Sequence, residues 1–142
     1  MKTLIEAATP LTLYAVRDWL RTQNDLIATL GNDRRCVDLS YTGSSETYIT
    51  LYRAGGFPVP GRPFEASLIT FHCWGASDRA AALVAQALTR SLGSLSTTRL
   101  NKDVVALGAR VQSTTDLAGE DGHSRYVVVS TINARHSPIP GE

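Results

Sequence analysis

The chain has 142 residues, of which 43% are hydrophobic and 19% are charged, and its formal net charge is +1. The length suits a single domain over residues 1–142 with a buried core, and the composition argues against a disordered chain. The balanced charge excludes a protein whose main partner is bare nucleic acid, because phosphate binding needs clustered Lys and Arg.

A helix is the first predicted element. Thr9 is a favourable N-cap, Pro10 suits the first helical turn, and Gly31 suits the end of the helix. A break is predicted near Gln23, after which the helix resumes. The apolar residues that recur at helical spacing are Leu13, Val16, Trp19, Leu20, Ile27 and Leu30.

Two segments of alternating polarity then predict a β-hairpin, over residues 35–41 and 46–53, with turn residues between them. The second segment places Tyr48 and Tyr52 on one face. The segment 54–63 is rich in Gly and Pro, and it is predicted to be a loop because proline lacks the N–H that a central strand needs.

The third predicted strand covers residues 65–74. It is apolar on both faces, which favours a central position in the sheet. Ser77 then caps a second helix that ends at Gly93. The apolar stripe of this helix consists of Ala80, Leu83, Val84, Ala87, Leu88 and Leu92.

The remaining pattern predicts a polar loop over 93–102, strands over 104–113 and 125–134, and a loose tail over about 136–142. The order of elements is therefore α-β-β-β-α-β-β. Short turns between strands indicate mostly antiparallel pairing. We predict an α+β fold in which two helices pack on a four- to five-stranded sheet.

No catalytic constellation is visible, and we predict that the protein is not an enzyme. His72, His123 and His136 lack sequence neighbours that would form a known catalytic motif. Cys36 and Cys73 lie in apolar strand patterns, so we interpret both as small buried hydrophobic residues. No metal-ligand or cofactor motif is present, and no segment is long and apolar enough to span a membrane.

Two surfaces are candidate interaction sites. Tyr48, Tyr52, His72 and Trp74 share one face of the predicted sheet. If both helices cover the other face, these side chains are left for a protein interface, where Tyr and Trp are common. If one helix covers each face, they belong to the core. The acidic segment with Asp116, Glu120 and Asp121 is interpreted as a solvated loop, or as a loop that meets a partner or lines a ring's channel.

The chain plan resembles that of the tail terminators and related head-to-tail connector proteins of actinobacterial siphophages, with a lambda-like tail terminator fold. The resemblance rests on residues 51–56 (LYRAGG), the Pro-bearing loop, the strand–helix segment 64–77 (FEASLITFHCWGAS) and the final strand 125–129 (RYVVV). It implies a hexameric ring that caps the tail tube and joins it to the head connector.

The same resemblance implies a homo-oligomer whose partners are the tail tube protein and the stopper protein, while DNA passes through without specific binding. It implies a place at the head–tail junction of the virion after assembly in the host cytoplasm, and no catalytic residues. A stopper, an adaptor or a minor tail protein remains an alternative. Another alternative is a small-ligand-binding domain with Tyr48, His72 and Trp74 around a pocket.

Overall fold

The computed structural model describes residues 4–40, 46–58, 64–117 and 124–136. It contains three α-helices, a short 3-10 turn and six strands. In chain order these are α1 (Leu4–Leu20), α2 (Asn24–Thr29), the 3-10 turn (Arg34–Cys36), β1 (Val37–Asp38), β2 (Tyr48–Pro58), β3 (Phe64–Gly75), α3 (Asp78–Gly93), β4 (Thr98–Arg99), β5 (Val104–Leu117) and β6 (Ser124–His136).

The six strands form one sheet in the order β1-β2-β3-β6-β5-β4. Every pairing is antiparallel except that of β1 with β2, which is parallel. The predicted α+β class and the central position of β3 are confirmed. The sheet has more strands than the four or five predicted, and a third helix is present because the first predicted helix is divided in two.

All three helices contribute to one hydrophobic core on one face of the sheet, here called the helix face. The opposite face, which carries Tyr48, His72 and Trp74, is called the open face. The interpretation with one helix on each face is therefore wrong. The core is built from Val16, Leu20, Leu26, Ile27, Val84, Leu88 and Leu92 of the helices and from Ile49, Leu51, Ile69, Phe71, Cys73, Val128 and Ile132 of the strands.

The first helix begins at Leu4, earlier than the predicted start at Thr9. Good helix formers precede the proline, and they extend the helix despite it. The predicted break and the predicted end are both confirmed. Gly31 and Asn32 adopt positive φ angles of 71° and 61°. The Asn32 N–H donates to the Ile27 carbonyl, so left-handed residues close α2 as expected after a helix.

The predicted hairpin over 35–41 and 46–53 is wrong. In the described part of the first segment, residues 35–40, only Val37 and Asp38 form a strand, and they run parallel to β2, which contains residues 48–53 of the second segment. Asp38 explains the early departure from the sheet, because its carboxylate accepts hydrogen bonds from Arg17 and Arg21 of α1 and from the backbone N–H of Leu39. These bonds hold the chain against the helix instead of leaving it in an extended hairpin.

The predicted loop 54–63 is wrong over its first half, since β2 continues to Pro58 and pairs there with β3. A register shift between Arg53 and Gly55 makes Ala54 an extra residue. Similar shifts interrupt β5 between Ala106 and Gly108 and between Val111 and Ser113. The first of these leaves Leu107 as an extra residue, and its side chain is exposed.

The helix α3 agrees with its predicted bounds. The side chain of Ser77 accepts a hydrogen bond from the Ala80 N–H at 3.1 Å, as an N-cap should. Leu83 is an exception to the predicted buried stripe, because its side chain is exposed and lines an open groove between α3 and β5–β6. Ala81 and Ala85 are buried in its place.

Two further sequence predictions concern polar segments. The loop 93–102 contains the short strand β4. His136 does not begin a loose tail. It is the last residue of β6, and only 3% of its surface is exposed. Residues 137–142 lie outside the described part of the chain.

Among the helices that the structure describes, none combines the length and the apolar character required to cross a bilayer.

Candidate functional site: an aromatic sheet face

The four predicted interface residues lie together on the open face, on the adjacent strands β2 and β3. Tyr48 stacks on Trp74 with ring centroids 5.8 Å apart. Tyr52 stacks on His72 at 5.6 Å, and the rings of His72 and Trp74 are 6.2 Å apart. Antiparallel pairing explains the arrangement, since Tyr48 is the register partner of Trp74 and lies directly opposite it. We call this set the aromatic cluster.

Arg125 of β6 completes the aromatic cluster, and sequence reasoning did not include it. Its guanidinium carbon lies 4.8 Å from the centroid of the Trp74 ring, and the two residues are register partners. A cation above the face of Trp is favourable. The only signal available from the sequence was an arginine at the start of the last strand, which gives no cross-strand partner by itself.

The stacking limits what the aromatic cluster can bind. Tyr48 and Arg125 stand on the strands either side of Trp74 and occupy its ring faces. A nucleic-acid base or a flat ligand would need an open ring face for stacking. Tyr52 is the most exposed member, with half of its surface open to solvent. The geometry therefore suits a preformed protein-binding surface better than a platform for bases.

Three nitrogen atoms within the aromatic cluster have no hydrogen-bond partner among the described residues. They are Nε1 of Trp74, Nδ1 of His72 and Nε of Arg125, and each is covered by its neighbours. A buried nitrogen without a hydrogen-bond partner costs about 1–3 kcal/mol.

His72 has a pKa below its ordinary value, first because burial disfavours the charged ring and second because Arg125 is nearby. The unfolded chain therefore binds more protons below about pH 6.5, and the His72 contribution to stability is present above that pH. We expect this contribution to be lost as the pH falls through the lowered folded-state pKa. Melting temperatures between pH 7.5 and pH 5 for the wild type and for His72→Gln will measure it, and two parallel profiles would contradict it.

The acidic residues do not join the aromatic cluster. The predicted loop is wrong at Asp116, which is exposed on β5 and is paired in register with Tyr126, on the helix face of the sheet. Its charge and its hydrogen bond help to raise the pKa of the Tyr126 hydroxyl, after the effect of burial. Glu120 and Asp121 lie outside the described residues, so the role predicted for that loop stays a prediction.

A buried polar cluster on the helix face was missed by the sequence reasoning. It joins Thr12 of α1, Glu65 of β3 and His136 of β6. His136 Nε2 lies 2.9 Å from Glu65 Oε1 and 3.0 Å from Thr12 Oγ1, and the Thr12 hydroxyl donates to Glu65 Oε1. Arg53 approaches the other carboxylate oxygen at 3.9 Å. The sequence contained one indication of this cluster, because strand alternation places Glu65 on the same face as the apolar residues Ile69 and Phe71.

This arrangement does not resemble a hydrolytic triad. In such a triad the hydroxyl and the carboxylate contact opposite nitrogens of the imidazole ring. Here Thr12 and Glu65 both contact Nε2 of His136, and Nδ1 is buried without a partner. The Glu65 side chain is also fully buried. The contacts instead tie α1 to the sheet where β3 begins and β6 ends.

The cysteines behave as buried apolar residues, as predicted. Cys36 and Cys73 are both buried and neither forms a disulfide. Burial raises the pKa of the Cys73 thiol, which keeps it protonated. Across the described ranges, no group of three or more His, Cys, Asp or Glu side chains is placed to hold a metal ion.

Comparison with solved structures is informative about the fold. Neither a protein-family model nor a curated protein sequence matches the chain. Among solved structures, the chain is similar to a chain of the "Virion of native gene transfer agent (GTA) particle". The two share 16% sequence identity with a TM-score of 0.64, over 82% of this chain and 89% of the other. At this identity the likeness shows a shared fold.

Proposed function

We propose that the chain is a structural subunit of a phage-like virion, and more closely a tail terminator that forms a hexameric ring. The observation that supports this most is the fold shared with a chain of a gene transfer agent virion over 82% of this chain. The coverage extends over 89% of that chain, so the likeness concerns a whole subunit and not a common supersecondary motif.

The open face supports a role in assembly. Among the described residues, helices cover only the other face of the sheet, and the aromatic cluster includes a half-exposed Tyr52. Interfaces are enriched in Tyr, Trp and Arg, which are the residue types gathered here. We propose that the aromatic cluster contacts a neighbouring subunit of the ring or the tail tube protein.

The formal net charge of +1 also suits the proposal. A conduit has to let DNA slide, and strong binding to phosphates would slow its passage. The ring would join the tail tube on one side to the stopper on the other, at the head–tail junction. The chain would act without a cofactor and without catalysis.

The test measures assembly directly. The molar mass in solution by light scattering, together with negative-stain images of the protein mixed with tail tubes, should reveal rings at the tube ends. Deletion of the gene should give overlong or uncapped tails. Tails of normal length that fail to join heads would instead support a stopper or an adaptor, which is the second candidate because the shared fold fits it equally. A monomer that never caps tubes would contradict both.

Substitutions in the aromatic cluster should weaken assembly more than folding. For Trp74→Ala and Tyr52→Glu we expect a loss of at least about 2 kcal/mol in assembly, which is about thirtyfold in affinity, as for interface hot spots. Tyr14→Glu is the matched control, because Tyr14 is similarly exposed (42%, against 50% for Tyr52) but lies on α1. Sedimentation and melting temperature separate the two effects. Unfolded Tyr52→Glu protein would show that the aromatic cluster belongs to the core.

A further inference from the structure

The sheet ends at both sides in a strand of only two residues. β1 pairs with Ile49 and Thr50 alone, and β4 pairs with Val105 and Ala106 alone. Within the described residues, β2 therefore has no strand partner on its outer side over 51–58. β5 likewise has none over 108–117. Such edges present unpaired backbone N–H and C=O groups, which are a template for a strand from another chain.

The last part of the β5 edge is the most open. After the register shift at Ser113, residues 113–117 continue without a further shift. Residues 113–116 are exposed, and the sequence Ser-Thr-Thr-Asp-Leu contains no Pro and no Lys. Proteins usually protect edges with those residues, with bulges or with very short strands. Thr114 and Thr115 are β-branched, which favours an extended partnered strand.

The β2 edge lies at the other end of the same sheet. Tyr52 of the aromatic cluster stands on this edge strand and is half exposed, and the following Ala54 is exposed at the register shift. The edge therefore combines free backbone groups with a large side chain that has no cover. A strand added from a neighbouring copy would bury both the polar backbone groups and the exposed aromatic surface.

We propose that these two edges are the two halves of one contact, in which β5 of one copy adds to β2 of the next. The inference rests on the proposed ring, because it presupposes that copies associate head to tail. Each copy gives one edge and receives the other, and such heterologous contacts close into a ring when the rotation between copies fits. Both open edges of the sheet are then satisfied by one interaction.

The topology fixes the direction of the new pairing. Three successive antiparallel pairings separate β2 from β5, through β3 and β6, so β5 runs opposite to β2. A second copy related by rotation about the ring axis therefore brings an antiparallel partner to β2. The faces also continue across the contact. Tyr52 would lie beside Ser113 and Thr115 of the copy that supplies β5. The side chains of these two residues are small and leave room for the Tyr52 ring.

Cysteine cross-linking tests the pairing on the full chain. Thr115→Cys or Ser113→Cys protein is mixed with Tyr52→Cys or Ala54→Cys protein under mild oxidation. Cross-strand neighbours have Cα atoms about 4.5–5.5 Å apart, within the reach of a disulfide. Background is low because Cys36 and Cys73 are buried. We expect a disulfide-linked dimer from at least one mixture, and a ladder up to the ring number from the corresponding double variant.

The control pairs Tyr52→Cys with Gln86→Cys, an exposed position on α3 that should give no product. Thr115→Cys alone should also give none, whereas a two-fold dimer through β5 would cross-link it and overturn the proposal. Light scattering is measured on the same samples. Rings without any cross-link would overturn the edge pairing and leave the proposed function standing. Wild-type protein that stays a monomer and forms no ring, even on tail tubes, would overturn both.

Discussion

Replacement of Gly75 by Ala should destabilise the protein by about 3 kcal/mol or more, at the upper end of what overpacking costs. Gly75 ends β3 where the chain turns into α3. A Cβ atom added there would collide with the backbone nitrogen of Ala81, and would lie 2.9 Å from the Ala81 Cα and 3.0 Å from the Ala80 carbonyl carbon. Backbone atoms cannot rotate away, so the whole helix would have to move off the sheet.

The measurement is the midpoint of urea unfolding, compared with that of Gly93→Ala. Gly93 is the last residue of α3, and an added Cβ there meets nothing within 4 Å. We expect the control to be neutral or to gain up to about 1 kcal/mol, because Ala is the better helix former. Equal midpoints for the two variants would show that the β3–α3 junction tolerates a side chain, and the close approach would be irrelevant to stability.

The second large effect is expected from Glu65→Ala, which should cost about 2–4 kcal/mol, because buried polar groups lose a hydrogen-bond partner at about 1–3 kcal/mol each. The Glu65 carboxylate is completely buried and accepts from Thr12 while contacting His136 at 2.9 Å. Without it, Thr12 and His136 each lose the contact with the carboxylate and keep only their contact with each other, at 3.0 Å. We therefore expect α1 to loosen from the sheet before the rest of the fold opens.

Hydrogen exchange will locate the loosening, and urea unfolding will give its size. Asp116→Ala is the control, because that carboxylate also lies on the helix face but is exposed, and surface changes usually stay within about 0.5 kcal/mol. If Glu65→Ala and Asp116→Ala lose the same stability, the buried contacts of Glu65 contribute nothing. If protection is lost evenly over all elements, the cluster does not act through α1.

The predictions that the structure confirms are those that depend on residues close together in the chain. Ser77 caps α3 through its own hydroxyl, Gly31 and Asn32 supply the left-handed residues that end α2, and strand alternation placed the aromatic residues on one face. Each of these signals lies within a few residues of the feature it determines. The local sequence is therefore sufficient to predict these features.

The predictions that failed depend on partners far away in the chain. The hairpin before β2 was wrong because Arg17 and Arg21 hold Asp38 against α1, and nothing near Asp38 indicates this. Arg125 was missed at the aromatic cluster for the same reason, since cross-strand register is set by pairing between distant segments.

The strand order has a consequence for the timing of folding. β3, the apolar strand at the centre of the sheet, pairs on one side with β6, joining Gly75 to Ser124 and Phe64 to Arg135. During synthesis at about 5–20 residues per second, β3 would wait several seconds for that partner. Until the last strand leaves the ribosome, one side of the central strand stays bare and prone to aggregation. Only a chain translated through β6 can complete the sheet, so we expect prematurely terminated copies to fail to fold.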